Sequence, residues 1–387
     1  MEKLGTNKLN MQKLLAPAAL VILYIVFSIF GNNFLSLDMV KNILESSYYI
    51  GFMAFGVTFV IITGGIDLSL GTAMMCAALL GGFSFKQGCP LILSVFLTIL
   101  VGVVFGFANG IFVAKLKLPP FIATLGTQMM ASGIGSIITK VQSQTWPTAT
   151  AEVGSWFKKV FIRSEVFGIK GFPVGAFWLI GFFLIAAAIL HKTKFGRYAY
   201  AIGSNEEAAR LSGIKVDNWK VAVYTLSGFF VGMAGLFYAA AYTTITPGTG
   251  SGQELNGITG VIIGGTSMAG GSGSMIGTLI GVFIMSVLKN GLSSCGLQAP
   301  WQTFLTGAVV IGAVLLDITR TNAANRVTPV VTTPKNGGNQ PSVERSDAFD
   351  KKITGGNENE KTDSPASYHG DGHSGYRLPS QARGSQD

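Results

Sequence analysis

The stretch 43–71 reads ILESSYYIGFMAFGVTFVIITGGIDLSLG. From Ile43 to Thr63 it carries one charged side chain, Glu45, near its start. A helix needs an apolar run of about 20 residues to cross a bilayer. The run stops at Gly64-Gly65, and Asp67 follows directly, where a charge exposed to lipid would be costly. The stretch therefore predicts a membrane helix, a glycine break and a second helix from Thr72. Asp67 suits that second start, because its carboxylate can accept from free backbone N–H groups near Ser69 and Leu70. Two readings of Asp67 stand side by side: a cap at one membrane face, or a group that couples or gates a movement. Direct contact with a transported solute is disfavoured, since the break is placed near one face.

Composition agrees with the membrane reading. The chain has 387 residues, a mean hydropathy of +0.47 and 12% charged residues, against about 25% in soluble domains. Its 51 glycines suit close helix packing and broken segments. The net charge of +9 lies mainly between apolar runs, so it points to topology and not to nucleic acid. No phosphate-binding loop, dinucleotide fingerprint, catalytic cluster or metal-ligand spacing is present in the sequence. Of the three cysteines, Cys89 and Cys295 are both expected near the outer face; a disulfide between them is disfavoured.

Ten apolar segments follow from the same count, at 14–30, 43–63, 72–83, 91–114, 121–139, 172–190, 219–240, 255–268, 274–288 and 301–316. The eighth is too short to cross unaided at about 1.5 Å per residue. It is either buried in protein or re-entrant. The expected fold is an all-α polytopic membrane protein of about ten spans, some short or broken. Starting inside and alternating, basic residues number 12 on the inner side and 8 on the outer before the tail, which favours both termini in the cytoplasm. The outer loop 140–171 holds Trp146 and Trp156, whose rings favour the headgroup level. A membrane domain thus occupies 1–320. Residues 321–387 are polar, lack apolar periodicity and read as a disordered cytoplasmic tail.

Polar groups inside apolar runs are the candidate functional residues. Asn109 lies in the fourth segment, as a helix-to-helix hydrogen-bonding group or a ligand. Thr124, Gln128 and Ser132 recur every four residues and share a helix face, as pathway lining or a polar seam. Glu254 is expected near the outer mouth, as an interfacial carboxylate in preference to a solute contact. The segment Gly56–Gly64 (GVTFVIITG) is matched at six of nine positions by Gly257–Gly265 (GITGVIIGG), 201 residues on. Paired glycine-interrupted segments in two halves can mark a transport pathway; chance similarity weighs equally here.

The charged connection 191–218 contains a short helix signal. Asn205 can cap it, Glu206 and Glu207 suit its positive end, Arg210 lies in its later part, and Gly213 can terminate it. The segments 56–71 (GVTFVIITGGIDLSLG), 116–126 (LKLPPFIATLG), 195–214 (FGRYAYAIGSNEEAARLSGI), 261–271 (VIIGGTSMAGG) and 277–281 (GTLIG) resemble the ribose/xylose/arabinose-type permeases of ATP-binding-cassette importers, over about residues 10–320. The resemblance implies a permease in the bacterial cytoplasmic (inner) membrane, paired with a second copy or a related chain. It implies a cytoplasmic ATPase that uses ATP and Mg, often with two cassettes in one chain, and an extracytoplasmic binding protein that delivers a monosaccharide.

On this resemblance the ATPase-coupling loop maps to Gly203, Asn205, Glu206, Ala208, Ala209, Arg210 and Gly213. Gating or pathway blocks map to Gly65, Asp67, Ser69 and Gly71, and to Gly264, Gly265, Thr266, Gly270 and Gly271. Many relatives of this type carry an acid where Asn256 stands, so no role passes to a carboxylate there. The polar tail also extends past the usual end of such chains. The rival reading is a secondary transporter of a small polar solute driven by an ion gradient, which calls for paired ionisable groups at mid-membrane.

Overall fold

The computed structural model describes residues 2–166 and 169–325. Its helices are α1 (Glu2–Phe30), α2 (Leu37–Ile62), α3 (Leu70–Lys86), α4 (Leu91–Gly110, extended by a π-helical turn over Ile111–Lys115) and α5 (Pro120–Ile138). The connection after α5 holds β1 (Gln144–Thr145), α6 (Trp156–Phe161), β2 (Ser164–Val166) and β3 (Ile169–Phe172). Then come α7 (Gly175–Lys192), α8 (Lys194–Ser204), α9 (Glu206–Leu211), α10 (Val216–Tyr242), β4 (Thr244–Ile245), α11 (Gln253–Ile263), α12 (Met275–Ser294) and α13 (Ala299–Asn325).

This is the fold of an α-helical multi-pass membrane protein. Among the described residues, seven helices are long and apolar enough to cross a bilayer: α2, α4 with its π turn, α5, α7, α10, α12 and α13. The apolar part of α1 (Leu15–Phe30) and α3 are shorter, and α11 has only 11 residues. All ten expected helices are present, with shifted ends. The eighth stops at Ile263 and not at 268, because the glycines and small polar residues of 264–274 form a turn. The tenth runs on to Asn325, past the expected tail boundary at 321; residues 326–387 lie outside the described part. The connection 191–218 forms two helices, α8 and α9, where one was expected.

The core is built around α2 and α10. Every side of α2 is covered: 94% of its apolar window is buried, against 11% in α13, which presents its side chains outward. Phe52 of α2 stacks on Phe237 of α10 at 4.7 Å and meets Phe182 of α7 edge-on at 5.4 Å. α4 lies against α10 through glycines one turn apart on each: Gly102, Gly106 and Gly110 face Gly228, Gly232 and Val221. Without an apolar driving force in lipid, such close backbone approach supplies the attraction.

At one end of the bundle, Asn32 N–H donates to Ser294 O at 3.0 Å, joining the ends of α1 and α12. There too β1 pairs antiparallel with β4, Gln144 opposite Ile245. Trp146 does not lie in an interfacial belt: it is buried, donates Nε1–H to Ala78 O at 3.0 Å and stacks on Phe157. Trp156 is more exposed. Cys76, Cys89 and Cys295 are free thiols.

A Cβ at Gly106 would stand 2.7 Å from Gly228 Cα, and the obstacle is backbone. Gly106→Val is therefore expected to cost about 3 kcal/mol or more, at the upper end of overpacking penalties. Thermal unfolding in detergent micelles checks this; an unchanged midpoint would contradict the packing described.

Candidate functional site

The polypeptide breaks between α2 and α3. Gly64 adopts φ +75°, so the chain leaves α2 through the left-handed region that favours glycine. Gly64 N–H donates to Ile61 O at 2.9 Å and Gly65 N–H to Val60 O at 3.0 Å, a Schellman pair. A Cβ at Gly65 would stand 2.7 Å from the Tyr224 hydroxyl, which itself donates to Ile66 O at 3.3 Å. Asp67 is buried. Its Oδ1 accepts from Ser69 N–H at 2.9 Å, from Ser69 Oγ–H at 2.6 Å and weakly from Asn109 Nδ2–H at 3.4 Å. Asn109 Nδ2 also donates to Ser69 Oγ at 2.8 Å. Asn109 is thus the link between α4 and the break. The residue at the start of α3 is Ser69, whose side chain does not cap. Asp67 holds the turn that precedes the helix.

The echo is repeated in three dimensions. Gly265 N–H donates to Ile262 O at 2.9 Å and Thr266 N–H to Val261 O at 3.2 Å, the same pair of bonds shifted by the 201-residue separation. Gly265 has φ +93°. The two helices end at the same end of the bundle, and Gly271 N–H donates to Ile62 O at 2.9 Å. Inside, Thr58 and Thr278 hydroxyls lie 2.9 Å apart. Gly264 packs on Gly277 with no room for a Cβ, and Thr266 is buried with its hydroxyl unpartnered. Gly203, at the end of α8, is wedged against Ile62 O and Gly271 N. It therefore abuts both breaks at once.

Glu254 is not at an outer mouth. It is buried in the first turn of α11, where its Oε1 accepts from Gly252 N–H at 2.9 Å and weakly from Gln128 Nε2–H at 3.4 Å. Gln128 also donates to Ser251 Oγ at 3.2 Å. Glu254 Oε2 has no partner and lies against Gly71. Counted at about 1.5 Å per residue, Gly71 is ~22 Å from Lys86 at the far end of α3. Counted likewise, Asn109 is ~9 Å from Lys115. By these counts the break lies nearer the Lys115 end of the bundle than the Lys86 end. The chain reaches Glu254 by descending from β4 through 246–252. Gly71 admits this approach because a side chain there would strike Gly250 O and Glu254.

The structure therefore gathers Gly65, Asp67, Ser69, Gly71 and Asn109 around one break. It sets Gln128 and Glu254 on its flank and places Gly264, Gly265 and Thr266 at the second break. The Thr124 hydroxyl donates to Pro120 O of its own helix at 2.8 Å, and the side chain is buried.

The coupling candidates form the opposite kind of surface, polar and exposed. Asn205 caps α9 through Ala208 N–H at 2.9 Å, and Gly213 at φ +81° ends it. Ala209 is buried with Ile202 and Val216 and fixes α9 to the body. Glu206 accepts from Lys220 at 2.5 Å and from Arg210 at 3.3 Å. Burial opposes ionisation of Glu206, but the hydrogen bonds and charges of Lys220 and Arg210 outweigh it and hold its carboxyl below the usual range.

Sequence reasoning missed two residues. Leu211 is 88% exposed at the tip of α9, an apolar knob among charges. Asp317 of α13 accepts from Met268 N–H at 3.0 Å and Ser267 Oγ–H at 3.4 Å, holding the second break. A lone acid closing the last apolar run was the signal for the latter.

Residues 39–314 match the family described as branched-chain amino acid transport system / permease component. The chain is 40% identical over 307 residues to the ribose import permease protein RbsC of Bacillus subtilis (strain 168), covering 79% of this chain and 93% of that one. It is 33% identical to the fructose import permease protein FrcC of Rhizobium meliloti, with 78% and 85% covered. It is 31% identical to the autoinducer 2 import system permease protein LsrC of Photorhabdus luminescens, with 80% and 90% covered.

Asn109→Leu would remove two donated hydrogen bonds from the buried Asp67–Ser69 turn. A loss of about 1–3 kcal/mol is expected, read as a lowered unfolding midpoint in lipid nanodiscs; an unchanged midpoint would remove Asn109 from the site.

Proposed function

Because the chain belongs to the family of branched-chain amino acid transport system permease components, we propose that it is the membrane-spanning subunit of an ATP-driven importer. Its solute is a monosaccharide of the ribose, xylose, arabinose or galactose class, handed over by an extracytoplasmic binding protein. The named relatives, permeases for ribose, fructose and autoinducer 2, support a small polyhydroxylated solute. The subunit works in the bacterial inner membrane with both termini in the cytoplasm, beside a second copy or a related permease. ATP and Mg are used by a cytoplasmic ATPase, in separate or tandem cassettes.

One observation carries this reading: Gly203, at the end of α8 and two residues before the cap of helix α9, abuts both glycine breaks that interrupt the bundle. A push on α9 passes through the extended residue Asn205 to Gly203, and so to both breaks. Gly203, Asn205, Glu206, Ala208, Ala209, Arg210 and Gly213 form this lever. Gly65, Asp67, Ser69, Gly71, Asn109, Gln128, Glu254, Gly264, Gly265 and Thr266 form the part that moves. The nucleotide state shifts the equilibrium between inward- and outward-open forms only through its different affinity for the two. Leu211 at the tip supplies the apolar contact to the ATPase, the kind of residue on which interface energy concentrates when it enters a pocket.

Proteoliposomes holding the permease, its ATPase and the binding protein should take up radiolabelled monosaccharide only with ATP inside the nucleotide compartment. Uptake that survives ATP depletion and follows a sodium or proton gradient would replace this reading by the secondary-transporter one. Ala208→Cys should cross-link to the ATPase. Leu211→Asp should weaken ATPase association by about fivefold or more while leaving the unfolding midpoint unchanged; full association would exclude the tip as a contact.

A further inference from the structure

We propose that Lys117 and Asp217 are a positioning pair that carries the movement of α9 into α5, and so to Gln128 and Glu254. The inference rests on the reading of α9 as the ATPase contact.

The pair lies where three elements meet. α4 ends in the π-helical turn Ile111–Lys115, and the chain then bends through Leu116–Pro119 into α5. Within that elbow Lys117 has φ +57°, a conformation that side-chain-bearing residues seldom adopt. Its ammonium donates to Asp217 Oδ1 at 2.6 Å. The same oxygen accepts from Arg210 Nη2 of α9 at 3.2 Å. One bond further on, Lys115 Nζ donates to Asn218 Oδ1 at 2.6 Å. Asp217 therefore ties the α4–α5 elbow, α9 and the first turn of α10 at one point.

Beyond the elbow α5 packs along α3, with Gly135 against Leu79 and Cys76, and stands off from α4. An apolar groove of about 420 Å³ separates it from α4, with Val101 and Phe105 on one wall and Met130 and Ile134 on the other. Pro119 and Pro120 open the helix, so the elbow itself cannot continue α4. What α5 does touch by polar contact at mid-length is Ser251 and Glu254, through Gln128. Tied at its base by charge and joined at its middle to Glu254 by one amide, α5 is arranged to pass a tilt of the elbow along α3. Exposed ion pairs contribute little to stability, so the pair is poorly explained as a fold-holding device. Its removal is expected to leave the bundle folded.

The test uses the complete complex in proteoliposomes and reads solute carried per ATP hydrolysed. Lys117→Asn removes the charge yet suits the left-handed backbone. Lys117→Asn and Asp217→Asn should each hydrolyse ATP at the unmodified rate while the ratio falls about fivefold or more, within the usual span of coupling energies. The double variant should be no worse than the worse single one, as for residues acting through one contact. Lys117→Arg should keep the normal ratio. A normal ratio in Lys117→Asn, or losses that multiply in the double variant, would overturn the proposal. If Lys117→Asn does not assemble, Lys117→Gly takes its place with the same two outcomes. Cross-linking of Ala208→Cys to the ATPase separates the two layers. If it forms while the ratio stays normal, only this pair is excluded; if it does not form, the reading of α9 fails first.

Discussion

A backbone that stops being helical must find other partners for the polar groups it buries. This chain breaks its helices in that way after α2 and after α11, and much of the surrounding architecture serves the two breaks. The Schellman bonds at Gly64-Gly65 and Gly265-Thr266 close the helices. Asp67 and Asp317 accept the backbone N–H groups that follow, and Asn109 and Tyr224 cover the first break from neighbouring helices. The buried carboxylates are costly groups that the site retains, and each is paired on at least one oxygen.

Glycine explains how these parts fit so closely. The breaks touch one another, and Gly203 touches both, at separations that no side chain would allow. Such contacts have little slack. Interfaces packed to this density move as units and switch between discrete arrangements. The charged outer edge, by contrast, is held by ion pairs in water among Arg210, Glu206, Lys220 and Asp217, which can rearrange at small cost.

The membrane class and the ten helices were legible because apolar runs depend only on local composition. The cap at Asn205 and the stop at Gly213 were legible for the same reason, since capping acts within four residues. The echo was legible as a pattern, but its meaning was not: equal composition and equal hydrogen bonding look alike until the backbone is seen to close both segments identically. Trp146 was misplaced because an aromatic ring in a polar loop suits the interface as well as it suits a pocket under Ala78.

The order of apolar segments, their glycine interruptions and the polarity of the connection 191–218 therefore decided by themselves that the chain is a multi-pass membrane protein with broken helices and a short capped helix; the permease reading rested on the resemblance of its motifs to a family. Only tertiary structure decided that Glu254 is buried against Gly71, that Asn109 belongs to Asp67 and that Gly203 lies against both breaks. Hydropathy and capping are properties of neighbours along the chain. Those placements arise from close approach between segments far apart in sequence, where the absence of one Cβ settles which backbone lies against which.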